Sequence, residues 1–269
     1  MSCSLLIVVP TLNSHNLLSR LLTSLQQQTW PHWHLLFIDG PSGHEHRQWL
    51  EQSCANEPRC CWIAQDPRQP GIFGAMNQGF AAAADWLLFW GSDDWAASRT
   101  VLAEAMAALE AAETSNTELR HGWPDLLVCR GRYANASQNP LGRIAAFQPP
   151  GLLARAAYRR ALLLGSTPPH QATLLGPGAR RRLAHYAPGF RLSADLDYFL
   201  QLSRYPGLRV QCLDLELVHM DAGGISGQQT QRRLQEVRHA YRRAFGWIWW
   251  FPFLTRYSRR LATRLDRNR

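Results

Sequence analysis

The chain has 269 residues, long enough for one well-cored domain with an appendage or for two small domains, and one domain with a tail is expected. The formal charge of +9 and pI near 9.8 invite an acidic partner, either nucleic acid or an anionic membrane. Residues 232–269 hold eleven arginines against Glu236 and Asp266, so the whole surplus lies there and a body that is basic overall is excluded.

Continuous apolar runs at 5–9, 35–38, 61–64 and 86–90 read as strands buried on both faces, the mark of a parallel sheet. The opening run follows no basic segment and is too short for a signal peptide, and no stretch approaches the length of a bilayer-spanning helix. Between the strands, 16–27 places Leu17, Leu18, Leu21, Leu22 and Leu25 on one helical stripe, and 72–84 is an Ala-rich helix after a Gly/Pro break. Repeated strand, helix, strand implies an α/β, doubly wound, mostly parallel sheet flanked by helices, in which ligands collect at the carboxyl ends of strands.

Farther along, 98–112 reads as a helix, 125–129 as a strand and 132–148 as a loop-rich stretch. Residues 190–204 read as a turn into a helix and 209–218 as one or two strands. The six cysteines (Cys3, Cys54, Cys60, Cys61, Cys129, Cys212) show no paired metal spacing and suit reduced thiols of a cytosolic protein. Every one of the 29 basic residues is arginine, a bias that a GC-rich genome explains as well as any functional need.

The strand at 86–90 ends in Gly91-Ser92-Asp93-Asp94. Adjacent carboxylates where a buried strand emerges suit a divalent cation bridging to phosphate, since hard cations take oxygen ligands and seldom all of them from protein. Ser-Asp-Asp is also sound turn and helix-capping chemistry, and that reading stays open. Pro10-Thr11-Leu12-Asn13 follows the first strand and Asp39-Gly40-Pro41-Ser42 the second, so these loops and the acid pair should share one sheet edge and one cleft.

Taken together, these segments resemble the family 2 glycosyltransferases, whose nucleotide-sugar-binding α/β fold is called GT-A. The likeness extends over about residues 5–226 and rests on six segments in order: Val8 to Asn13, Ile38 to Ser42, Gly71 to Gly79, Ser92-Asp93-Asp94, His170-Gln171-Ala172 with Ser193 to Asp197, and Gly223-Gly224-Ile225-Ser226. The sequence departs from the family pattern at Ser42-Gly43-His44, at Arg68-Gln69-Pro70, at Gly74 in place of an aspartate and at Gln78 in place of a lysine.

The resemblance implies an inverting, metal-assisted transfer from a nucleotide sugar, a UDP-sugar favoured, to a glycan or lipid-linked acceptor. It assigns Pro10, Thr11, Asn13, Asp39, Asn77 and Asp93 to the donor, and Asp94 with Asp93 to Mn²⁺ or Mg²⁺. His219 is a further candidate ligand, against the ordinary role of a lone histidine as a satisfied structural residue. Asp195 stands at the position of the family's carboxylate base, His170, Gln171 and Asp197 on the acceptor side, and Gly223, Gly224 and Ser226 in a closing loop. Asp197, two residues from Asp195, has the alternative of orienting an arginine or capping the helix. Asn77 has that of a plain helix-surface amide.

The expected boundary falls at 227, leaving 228–269 as a basic amphipathic helical tail. Leu234, Val237, Tyr241 and Phe245 share one stripe; Leu254, Tyr257, Leu261 and Leu265 repeat it beyond Pro252, with Gly246-Trp-Ile-Trp-Trp-Phe between. Tryptophan beside arginine suits an anionic membrane surface, and packing on the domain or on a second subunit is the alternative. The expected location is cytoplasmic, with peripheral attachment to the inner face of the cell membrane as an option. Nucleic acid is the disfavoured partner, because a tail that binds it leaves the carboxylates unexplained.

Overall fold

The structure is a computed structural model that describes residues 4–114, 122–134, 142–221 and 229–265. The closing-loop residues Gly223, Gly224 and Ser226 lie outside the described residues, as does Cys3. The first half alternates β1 (Leu5–Thr11), α1 (His15–Gln26), β2 (Trp33–Asp39), α2 (His44–Asn56), β3 (Cys60–Ala64), α3 (Ile72–Gly79) and β4 (Trp86–Phe89). The short β5 (Trp95–Ala96), α4 (Val101–Thr114), β6 (Leu126–Tyr133), β7 (Ile144–Ala145) and β8 (Gly151–Ala154) follow. Then come α5 (Arg155–Leu163), β9 (Thr173–Leu175), α6 (Pro177–Arg182), α7 (Ala194–Leu202), β10 (Arg209–Met220), α8 (Thr230–Phe245) and α9 (Trp250–Leu265).

One mixed sheet orders these strands β3-β2-β1-β4-β9-β6-β10-β5, with β7 on β6 and β8 on β10. β1 runs parallel to both β2 and β4, and its register sets Thr11 opposite Asp39. β9 reverses direction between β4 and β6. The runs at 5–9, 35–38 and 86–90 are continuous because both sheet faces are covered, whereas the run at 61–64 is not buried on both faces as expected, since β3 is an edge strand on which Cys61 and Ile63 are exposed. Leu6, Val8, Leu36, Ile38, Leu87 and Phe89 pack beneath α3, α5, α7 and α8, while Leu5, Ile7, Val9, Leu35, Phe37 and Leu88 pack beneath α1 and α4. Each such side chain taken from water contributes about 1.5–3 kcal/mol.

Several elements differ from the sequence expectation. α3 stops at Gly79 rather than continuing to 84, because the Arg180 guanidinium draws the carbonyls of Phe80, Ala82 and Ala84 away from helical partners. α3 also lies so close to β1 that a Cβ at Gly79 would come within 2.8 Å of Val8. α2 and the short elements between Gly151 and Arg182 were not anticipated, whereas 209–220 is one long strand.

The expected break at 227 is not a break in packing. Val237, Ala240, Tyr241, Ala244 and Phe245 of α8 belong to the same hydrophobic cluster as the sheet, so the first tail stripe faces the domain and not a membrane. Cys54, Cys60, Cys61, Cys129 and Cys212 are free thiols, and burial pushes that of Cys129 up to about 12. Among the described residues no helix is long and apolar enough to cross a membrane.

Candidate active site

The ends of β1 and β2 build one wall of a cleft. Asn13 adopts a left-handed backbone (φ 49°), which an amide side chain tolerates. Its Oδ1 accepts the Gly43 N–H at 2.8 Å, while its own N–H donates to Ser42 Oγ at 2.9 Å. Ser42 in turn donates to Asp39 Oδ1 at 2.6 Å, and Thr11 donates to the same oxygen at 3.1 Å. His46 Nε2 lies 3.1 Å from Oδ1 and Arg47 Nε 3.6 Å from Oδ2. Burial, with His15 beside it, lowers the His46 pKa and outweighs the pull of Asp39. Asp39 Oδ2 is buried without a hydrogen bond; an incoming N–H donor would satisfy it.

β4 delivers the acid pair. Ser92 Oγ donates to the Pro10 carbonyl at 3.1 Å and receives the Ser14 hydroxyl at 2.9 Å, tying this turn to the β1 loop. Gly91 N–H donates to Asp94 Oδ2 at 2.6 Å, and a Cβ at Gly91 would meet Asp93 Oδ1 at 2.6 Å, so a larger residue there would displace the Asp93 carboxylate. Asp94 is buried; burial and then the Asp93 charge hold its pKa well above the usual carboxylate range, with Asp221 adding to the push. Burial raises Asp93 as well. Arg20 opposes them, donating to the Asp93 carbonyl at 3.1 Å with its guanidinium 3.5 Å above the Trp95 ring.

This donor set fits a divalent cation in charge: crowded carboxylates whose ionised forms are disfavoured are relieved by added positive charge. Among the described residues no group of three or more His, Cys, Asp or Glu side chains is arranged to hold a metal unaided. A cation here would therefore complete its shell with phosphate oxygens and water, the usual habit of Mg²⁺. His219 Nε2 lies 2.8 Å from Glu216 Oε1, and its ring packs edge-on to Trp95, the arrangement of the structural residue weighed as its alternative.

The facing wall comes from the second half. Asp195 is half-buried in the first turn of α7. Its charge bears on His170 and Tyr186, and His170 Nε2 lies 2.6 Å from the Tyr186 hydroxyl. The His170 ring stacks on Phe89 of β4, centroids 5.6 Å apart and planes at 11°, while Trp90 Nε1 donates to the Gln171 carbonyl at 3.0 Å. The 170–172 segment is thus seated at the end of the strand that carries the acid pair. Burial lowers the His170 pKa despite Asp195.

Two further expectations are corrected by their partners. Asn77 spends its amide on the Tyr186 backbone, donating to its carbonyl at 3.2 Å and accepting its N–H at 2.7 Å, so it anchors the segment around Tyr186 and its amide is already engaged. Asp197 is buried and paired with Arg243 of α8, with Gln201 donating to it at 3.2 Å. It took the alternative weighed for it, an arginine partner. Residues the sequence did not single out include His46 and Arg47, Arg20, Tyr186 and Glu236. The Glu236 carboxylate accepts the backbone N–H groups of Arg191, Leu192 and Ser193 at 2.8–3.0 Å; its signal in the sequence was an acid isolated in an arginine-rich helix.

The departures at Gly74 and Gln78 are linked. A Cβ at Gly74 would lie 2.0 Å from the Gln69 carbonyl oxygen. The 65–71 loop is folded onto that spot by Gln65 Nε2, which donates to the Gln69 and Gly71 carbonyls at 2.6 and 2.7 Å, and by Gln78 Oε1, which accepts the Asp66 N–H at 3.2 Å. Loop backbone occupies the space into which an aspartate at 74 would project.

Residues 6–117, which span β1 to α4 and include the acid pair, match the family described as Glycosyl transferase family 2. The chain carries a family 2 glycosyltransferase domain. Curated relatives named PGL/p-HBAD biosynthesis glycosyltransferase, from Mycobacterium bovis (strain BCG) and Mycobacterium tuberculosis (strain H37Rv), are 26% identical over 222 residues, covering 82% of this glycosyltransferase and 78% of their own length. Among solved structures, S. aureus TarS superposes with a TM-score of 0.65 at 15% identity over 88% of this chain, which spans 39% of the TarS chain. The mannosyltransferase PcManGT from Pyrobaculum calidifontis, in complex with GDP-Man and Mn²⁺, gives 0.62 at 13% identity over 91% of this chain and 64% of its own. The architecture of this glycosyltransferase is accordingly that of the GT-A structures.

Proposed function

We propose that this glycosyltransferase moves a sugar from a nucleoside diphosphate donor to a hydroxyl of a glycan or lipid-linked acceptor, with inversion at the anomeric carbon. A UDP-sugar is favoured: TarS is known in complex with UDP and UDP-GlcNAc, although PcManGT holds GDP-Man. The observation that carries the reading is the pair Asp93-Asp94 at the end of β4, next to a wall containing Asp195.

In this reading the acceptor oxygen forms a bond to the anomeric carbon while the bond from that carbon to the diphosphate oxygen breaks, its electron pair leaving with the nucleoside diphosphate. The hydroxyl proton passes to the Asp195 carboxylate, the single base that direct displacement requires. Asp39, with Thr11, Asn13 and the Pro10 backbone, holds the base and ribose, where the unsatisfied Asp39 Oδ2 accepts an N–H. Asp94, assisted by Asp93, would hold Mn²⁺ or Mg²⁺, which when bound supplies Lewis-acid stabilisation of charge on the leaving diphosphate. His170 and Gln171 line the acceptor side, and the enzyme works in the cytoplasm.

The test is calorimetry and turnover across UDP-, GDP- and dTDP-sugars, with and without Mn²⁺. At least one donor should bind; Asp94→Asn should abolish turnover, and Asp195→Asn should keep donor binding while losing transfer. Absence of both binding and hydrolysis across the whole set would sink the reading.

A further inference from the structure

The tail keeps one apolar face that the domain does not cover. Trp247, in the helical turn Gly246–Trp249, is 83% exposed; Trp250, Phe251 and Leu254 of α9 are 48%, 37% and 58% exposed. Their spacing of three, four and seven residues from Trp247 sets them on one helical side. The opposite side is already occupied, since Trp249, Phe253 and Tyr257 pack against the core and Pro252 is buried. Leu164 at the end of α5, 41% exposed, extends the outer face. α5 is fastened to α9 there, by Arg256 Nη1 donating to Thr167 Oγ1 at 2.9 Å and by an approach so close that a Cβ at Gly165 would lie 2.5 Å from the Arg256 backbone.

The charge around this face has one sign. No Asp or Glu occurs anywhere in residues 237–265. Arg242 is exposed at the end of α8, as are Arg155 and Arg160 on α5, and Arg238 is exposed while stacking on Trp249 at 4.7 Å. A second copy of this chain would set arginine against arginine, a repulsion that opposes self-association. A bilayer surface rich in anionic phospholipid matches both features: tryptophan rings settle at headgroup level, and arginines meet lipid phosphates.

We propose that the Trp247–Leu254 face is a membrane-docking surface for anionic phospholipid bilayers, on which the helix lies in the plane of the interface. The proposal goes beyond the reaction assigned above and does not depend on it, because docking is read without donor or acceptor.

Full-length protein is sedimented with vesicles of 30 mol % phosphatidylglycerol in phosphatidylcholine and with phosphatidylcholine vesicles alone, a composition chosen at roughly the anionic content that gives a useful surface potential. Strong partitioning to the anionic vesicles, weakened by salt, is expected, together with quenching of tryptophan fluorescence by brominated lipid. The triple variant Trp247→Ser/Trp250→Ser/Leu254→Ser should lose about tenfold or more in partitioning while keeping its circular dichroism spectrum and its donor affinity. Equal partitioning of variant and wild type, or no quenching in the wild type, would overturn the proposal. So would light scattering that shows a dimer which the triple variant dissolves.

Discussion

Glu236 of α8 accepts the backbone N–H of Ser193 at 3.0 Å, and with it those of Leu192 and Arg191. Ser193 stands at the N-cap of α7 and makes no side-chain cap of its own, so a carboxylate from another helix serves the N–H groups there. Asp195 begins two residues later. Glu236→Ala should therefore loosen the segment that carries Asp195, the proposed base, lowering kcat by between about tenfold and a hundredfold with donor KM nearly unchanged. Charge-assisted hydrogen bonds of this kind contribute about 1.5–3 kcal/mol, and Glu236→Gln should recover part of both losses. A uniform rise in KM at constant kcat would show that Glu236 does not position the base.

Arg243 and Asp197 form a second tie between the same two helices. Burial raises the Asp197 pKa, and Arg243 is the chief influence pulling it back. Arg243→Ala leaves a buried carboxyl without its partner, expected to cost about 1–3 kcal/mol. That is less than for a fully buried pair, because Arg243 keeps 37% of its side chain in water. Asp197→Asn in the Arg243→Ala background should restore part of the loss. Denaturant midpoints of the single and double variants decide it, and strict additivity would show that the pair is not coupled.

The sheet was legible because parallel strands covered on both faces must be apolar without a break, as at 5–9, 35–38 and 86–90. The end of α3 was not, since what stops it is Arg180, about a hundred residues away. At the site, adjacency in sequence revealed Asp93 and Asp94, and strand register then carried Thr11 and Asp39 to one edge. Asn77, Asp197 and His219 stayed open between two roles because a polar side chain looks the same in sequence whether it awaits a ligand or already has a partner. Only the positions of Tyr186, Arg243 and Glu216 distinguish the two cases.

Gly74 cannot be returned to the aspartate common in the family. With the Gln69 carbonyl 2.0 Å from where its Cβ would stand, even Gly74→Ala forces the 65–71 loop to move, at an overpacking cost of about 1–3 kcal/mol. Gly74→Asp should be at least as destabilising and should not improve donor affinity. Thermal melts and donor calorimetry on both variants check this; a gain in affinity for any nucleotide sugar with Gly74→Asp would show that the loop is not fixed in place.

Asp94, the proposed metal ligand, links stability to pH. Its folded pKa lies well above the usual range through burial and the Asp93 charge, whereas in the unfolded chain it returns to about 3.9. Between those two values the folded state holds a proton that the unfolded state has released. Metal-free protein must therefore lose stability as pH rises through that window, and the penalty is fully developed once pH exceeds the folded pKa. Asp94→Asn removes the ionisation, so the metal-free variant should melt higher than wild type at neutral pH while losing turnover. In wild type, Mn²⁺ should raise Tm increasingly with pH, as the carboxylate becomes available to it; in Asp94→Asn that Mn²⁺ response should be absent. Melting curves at about pH 5, 7 and 8.5 test both limbs. A metal-free Asp94→Asn variant less stable than wild type at neutral pH would mean that the Gly91 hydrogen bond to Oδ2 at 2.6 Å outweighs the cost of the buried charge.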